Sequence, residues 1–231
     1  MGGSEYKLFP DLKTVDISGS SISLTLNSGN IKNVNLNNIR STDINITNCP
    51  SLVNVQCNNM TITDRCTLEV SWVRDFTLSG CSINNLIISG KIENGQALGK
   101  LNISMDSGMT SLNVSTYKEI TVSNCEKLTS FVSQSTTTEK INITNCKNLK
   151  NVTVDLTNCN SLVLNDCNLE NVILYASTVN DFNKLKTFKI NGATFENIHF
   201  RITGTSNDLN STNTQGLLVL TNLTGLTDFF I

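Results

Sequence analysis

Three segments in the middle of the chain repeat one another at a fixed step: ITVSNCEKLTSFV from Ile120, INITNCKNLKNVTV from Ile141 and LVLNDCNLENVIL from Leu162. Ile120, Ile141 and Leu162 stand 21 positions apart, and Cys125, Cys146 and Cys167 keep the same step. Further copies begin at Ile44, Phe76 and Leu101. A half-step is also visible, because apolar-x-apolar triplets recur about every ten or eleven residues. Val34/Leu36, Val55/Cys57, Leu86/Ile88, Leu112/Val114 and Val152/Val154 are examples. Such a triplet is too short for a helix and alternates with period two, so it marks a short strand with two side chains facing in. One unit of this length cannot bury its apolar side alone. Stacked units bury it against each other, with parallel strands about 4.8 Å apart. The expected fold class is therefore a repeat solenoid, mostly β: a parallel β-solenoid with about 21 residues per coil and little or no helix.

Columns of like residues explain a composition that fits no ordinary core. Asn, Ser and Thr make up about three residues in eight, yet Ile, Leu and Val are too frequent for disorder. Residues 1–10 read as a tag or lead-in, 11–200 as the solenoid, and 201–231 as an irregular loop and last strand at Leu217–Leu220 of the same domain. With 17 basic and 19 acidic residues, the chain has no electrostatic footprint for nucleic acid. No apolar run approaches the roughly 20 residues of a membrane helix, and Met1-Gly2-Gly3-Ser4 lacks the features of a secretion signal. Neither nucleic-acid binding nor membrane insertion is expected.

Asn48-Cys49, Asn124-Cys125, Asn145-Cys146 and Asn158-Cys159 sit where the chain leaves a strand, and Gly80-Cys81 and Asp166-Cys167 vary the same slot. Asn satisfies exposed backbone groups at a corner and tolerates the left-handed backbone found there. Cys acts as a small apolar residue. Leu149-x-x-Val152-x-Val154 and Leu52-x-x-Val55-x-Cys57, with these corners, resemble the leucine-rich repeat. The resemblance is to two bacterial forms, the cysteine-ladder repeat of certain internalins and the BspA-like repeat of surface proteins. It implies a right-handed solenoid used for binding, usually of proteins, without catalysis.

Eight cysteines raise the questions of disulfides and zinc. Cys49, Cys81, Cys125, Cys146 and Cys167 share one repeat slot and are expected to form a buried ladder of free thiols. No C-x-x-C knuckle for zinc occurs, and the corner residues Asp106 and Asp166 are too isolated for calcium. No cofactor, metal or catalytic residue is expected. The lone His199, between Ile198 and Phe200, points outward from a strand.

Binding is the remaining function class. The middle residue of each triplet faces solvent, which defines two outer columns. One reads Asn45, Thr77, Asn102, Thr121, Asn142, Val163, Lys189 and is polar. The other reads Asn35, Gln56, Ile87, Asn113, Val132, Thr153, Ile173, His199, Val219. Its apolar members Ile87, Val132, Ile173 and Val219 are expected either to meet a partner or to be buried by flanking loops. Interruptions at 65–75, 89–100 and 175–187 lengthen turns, the last with a short helix near Asp181-Phe182. The first carries the single Trp. Trp72 and Arg74 there are candidate anchors, the alternative being a plain loop with Trp72 packed inward. The expected function is a non-enzymatic binding or adhesion module for a protein or host-surface ligand, from a bacterial surface or secreted protein. The alternative is a structural or receptor-binding component of a bacteriophage particle. The apolar ending at 225–231 raises end-to-end self-association or docking to a larger assembly as a further expectation.

Overall fold

A computed structural model describes residues 11–19, 21–191, 193, 197–204 and 228–230, without the side chains of 21–22, 41–42, 63–66 and 228–230. The fold is a mostly β parallel solenoid with about 21 residues per turn. Each turn contributes one strand to each of two faces. The first face is an unbroken ten-stranded sheet: Thr14–Ser18, Asn33–Asn37, Asn54–Asn58, Asp75–Ser79, Lys100–Ser104, Glu119–Ser123, Lys140–Thr144, Ser161–Asn165, Thr187–Ile190 and Asp228–Phe230. At about 4.8 Å per strand it runs roughly 43 Å. The second face has four strands, Ser21–Leu26, Arg40–Ile46, Thr61–Val73 and Ser82–Gly90. Five more follow at Ser111–Asn113, Ser130–Ser133, Asn151–Asp155, Asn171–Ala176 and Ile198–Ile202. A single parallel bridge, Ser89 to Ser115, links these two groups.

Strand register matches the repeat. Val34, Val55, Phe76, Leu101, Ile120, Ile141, Leu162 and Phe188 are successive partners on the first face, and all are buried. The commonest step between rungs is 21 residues, yet steps of 19, 25 and 26 keep the same register. Extra residues leave the rung as surface excursions. Residues 91–98 hold a small antiparallel pair, Ile92–Glu93 with Gln96–Ala97. The 175–187 excursion holds the expected helix, Val179–Phe182, where the Thr178 N–H and hydroxyl both donate to the Asp181 carboxylate. The 65–75 interruption differs from expectation. Residues 61–73 form one 13-residue strand that absorbs the extra residues as register shifts between Ile62 and Thr67 and between Val70 and Val73. Residues 1–10, the expected strand at Leu217–Leu220 and most of 201–231 lie outside the described residues.

The corner after each of the first eight first-face strands is built one way. Gly19, Asn38, Asn59, Gly80, Met105, Asn124, Asn145 and Asp166 all have positive φ, between 52° and 68°. Most are Asn, Gly or Asp, the residues that tolerate this conformation. Asn side chains also bond between rungs. Asn145 Nδ2 donates to Asn124 Oδ1 at 2.5 Å, Asn58 Nδ2 to Asn37 Oδ1 at 2.8 Å and Asn54 Nδ2 to Asn33 Oδ1 at 3.1 Å. The amide, with donors and an acceptor on one planar group, extends the backbone ladder into the side chains. The residue after the corner points inward and forms a second column: Ile39, Met60, Cys81, Asp106, Cys125, Cys146 and Cys167, all buried.

Two expectations about columns need correction. The segment INITNC occurs twice, and its copies lie on opposite faces: Ile44–Cys49 leaves a second-face strand, Ile141–Cys146 a first-face strand. Cys49 therefore stands at the opposite corner from Cys81, Cys125, Cys146 and Cys167. Likewise Asn45 belongs to the second face, opposite Thr25 and Glu69, while Asn35 and Gln56 belong to the first, in line with Thr77. Here a second-face strand leaves through the same kind of corner, Asn48 at φ 52°, so local sequence does not distinguish the two.

Met105 is the one long apolar residue in the left-handed corner column, and it is 56% exposed. Met105→Asn relieves that strain and places an amide next to Asn124. It should raise stability by about 0.5–1 kcal/mol, measured as a higher melting temperature; an unchanged or lower value contradicts the corner account.

Candidate functional site

The thiols are the most reactive groups in the sequence, and the fold disarms them. The seven described cysteines are all free and buried. At the corners each thiol donates to the carbonyl two residues back: Cys81 to Ser79 at 3.4 Å, Cys125 to Ser123 at 3.5 Å, Cys146 to Thr144 at 3.6 Å and Cys167 to Asn165 at 3.4 Å. A weak donor inside a small apolar side chain is what this slot selects. Burial pushes the thiols of Cys81 and Cys167 up to about 11 and Cys159 up to about 12. A hydrogen bond with Cys146, and then burial, drives the Cys125 thiol strongly upward. The same bond draws the Cys146 thiol the other way, below its ordinary value. Burial keeps all seven from reagents and metal ions.

Asp106 replaces cysteine in this column and is fully buried rather than an isolated corner residue. Its carboxylate accepts from the N–H groups of Met109 at 2.7 Å, Gly108 at 2.9 Å and Ile83 at 3.1 Å. Burial raises its pKa against these donors. Asp106 thus ties the first-face corner to the neighbouring rung, with its acceptors committed to backbone. Among the described residues no group of three or more His, Cys, Asp or Glu is placed to hold a metal ion, and no helix is long and apolar enough to cross a membrane.

Charge is arranged along strand starts. Lys100 and Lys140 both pair with Glu119, at 3.0 and 3.4 Å, and Lys118 pairs with Glu139 at 3.3 Å. The hydrogen bond from Lys100 leads in holding the Glu119 carboxyl below its usual range. These are exposed pairs of small energetic weight, and they leave the outer columns largely uncharged.

The outer column of the second face reads Thr25, Asn45, Glu69, Ile87 and then, past the Ser89–Ser115 bridge, Asn113, Val132, Thr153, Ile173 and His199. Ile87 is 54% exposed, whereas Val132 and Ile173 are half-buried between neighbouring rungs, as is His199. Val219 lies outside the described residues. Arg74 is exposed and pairs with Asp75 at 3.6 Å.

Trp72 does not pack inward; it is 68% exposed. One extra residue between Val70 and Val73 makes a bulge against Ile88–Gly90, and Trp72 takes φ 62° there. A bulky side chain rarely adopts this conformation. The bulge turns the indole out of the strand, and the Trp72 backbone N–H donates to Ser89 Oγ at 3.2 Å. Trp72 forms one wall of an open groove of about 980 Å³, floored by Thr25, Asn45 and Glu69 and closed by the Asn48–Pro50 corner. Thus the structure brings Trp72 beside Glu69, and Glu69 beside its register partner Ile87. Arg74 does not line the groove, and Val132 and Ile173 stand further along the face. Thr25 and Glu69 were not singled out from sequence, and Asn45 was placed on the wrong face; a separate period count for each half-turn is the signal that finds them.

A second concavity of about 330 Å³, by Asn124, Asn145 and Asn148, offers less. Its amides already bond within the stack, Asn145 to Asn124 and Asn148 Nδ2 to the Glu126 carbonyl at 2.6 Å. No family model matches the chain, and comparison with curated proteins and with solved structures gave no match either.

The thiol account predicts that no more than one cysteine, Cys66, reacts with an aromatic disulfide reagent in the folded protein, while all eight react after denaturation. Rapid titration of several native thiols contradicts it.

Proposed function

We propose that this protein is a non-enzymatic recognition module that binds its partner along the second face, around Trp72 and Ile87. The observation that carries the reading is Trp72 itself. A large aromatic side chain is held out in solvent by a strained bulge, although the neighbouring strand residues Leu68, Val70 and Val73 are fully buried. Strain maintained at an exposed aromatic residue is a mark of a binding site. Exposed Ile87 extends the same patch. A stack of hydrogen-bonded rungs presents these groups rigidly, so little conformational entropy is lost on binding.

Support for binding over catalysis comes from the groups on offer. The described thiols are buried, and Asp106 is spent on backbone donors. A leucine-rich-repeat kinship, and with it a role at a bacterial cell surface, belongs to the same proposal. Leu52, Val55, Cys57, Leu149, Val152 and Val154 occupy its apolar positions and are all buried.

The test is saturable binding of labelled protein to live bacterial and animal cells. Trp72→Ala and Ile87→Asp should each weaken binding by about tenfold or more, while Asn142→Asp on the first face should leave it unchanged. Loss through Asn142→Asp alone, or no saturable binding to any cell type, overturns the proposal.

A further inference from the structure

We propose that the Trp72 groove is a binding site for an uncharged oligosaccharide. This rests on the recognition-module reading and names its ligand class. The groove's volume of about 980 Å³ lies at the upper end of the roughly 300–1,000 Å³ range of small-molecule sites. That is room for several sugar rings.

The chemistry of the walls selects among ligands. Trp72 lines the groove as an exposed indole, and the negative quadrupole of an indole face suits the polarised C–H groups on one face of a pyranose. Thr25, Asn45 and Glu69 rise from consecutive rungs of the floor, so they are spaced by about 4.8 Å, close to the length of one pyranose ring. A hydroxyl, an amide and a carboxylate together supply donors and acceptors, and sugar hydroxyls need both. Each ring along the groove therefore meets a polar group at the same interval.

The same residues disfavour other occupants. Among the described residues no Lys or Arg lines the groove, and Glu69 puts a carboxylate on its floor. The nearby Lys91 is turned to the Pro50 carbonyl at 3.5 Å and paired with Glu93 at 3.1 Å. Phosphate, sulfate and uronate groups would meet repulsion here without compensation. A protein partner would need an apolar centre sealed from water, and among the described residues the groove sets one aromatic residue and Pro50 beside a floor of Thr25, Asn45 and Glu69.

Trp72 is the only tryptophan in the chain, so intrinsic fluorescence reports on the groove directly. The experiment titrates the intact protein with short oligomers of glucose, mannose, galactose and N-acetylglucosamine, and with sulfated and uronic acid oligomers. Expected is a saturable quench or blue shift with at least one neutral series and none with the anionic ones. Glu69→Gln, nearly isosteric, should weaken that binding by about tenfold, and calorimetry should find no binding to Trp72→Ala that retains native circular dichroism. Three results overturn the assignment: no response to any neutral oligomer, stronger binding of anionic oligomers, or binding that survives both substitutions. Cell binding that depends on Trp72 without any oligosaccharide response rejects the sugar ligand and leaves the recognition module standing. Absence of both rejects the two together.

Discussion

The strands of one coil can hydrogen-bond only to the coils above and below, since within a coil they lie on separate faces. Every rung must therefore hold register with its neighbours or leave its backbone groups unpaired. That constraint sets the rest of the structure. It requires the chain to turn at the same height in every coil, and the left-handed column from Gly19 to Asp166 does so. It lines up like residues, so buried Val, Leu, Ile and Phe form one continuous core, and Asn side chains bond to Asn side chains a rung away. A chain so rich in polar residues folds because its polar groups are part of the ladder.

Register also explains the tolerance for excursions. Rungs separated by 19, 25 or 26 residues pair as well as those separated by 21, because the added length leaves at the edge. Where the two groups of the second face meet, the fit is tight. A side-chain carbon on Gly90 would come within 2.3 Å of the Thr116 carbonyl oxygen. Thr116, a β-branched residue at φ 68°, bonds back to Gly90, its Oγ1 accepting from the Gly90 N–H at 3.0 Å. Strain is thus concentrated at two places on the second face, this junction and the Trp72 bulge.

What could be read from sequence followed from what periodicity encodes. The period, the inward triplets, the left-handed corners at Asn48, Gly80, Asn124, Asn145 and Asp166, though not at Asn158, and the burial of Cys125, Cys146 and Cys167 on adjacent rungs were legible, since each repeats. Phase was not. INITNC at 44–49 and at 141–146 is the same string on opposite faces, because the half-turn at Asn48-Cys49 uses the same strand, left-handed corner and thiol as the first face. The groove depends on features that break the repeat. A one-residue bulge exposes Trp72, and periodicity is blind to a single insertion inside a strand. Asp106 escaped for a related reason: its carboxylate fits the thiol column only because three backbone donors converge there.

Function follows the same division. The repeating part supplies a stiff scaffold, and the departures from it supply the groove on which recognition is proposed to depend. The most direct test of the stacked-rung account is the distance between spin labels on the first-face column. Gln56 and Asn142 stand four rungs apart, and Gln56 and Lys189 six. Narrow distributions centred at about 19 Å and about 29 Å are predicted, one strand spacing per rung whatever the intervening chain length. Broad distributions, or distances that follow the number of residues instead of the number of rungs, would contradict it.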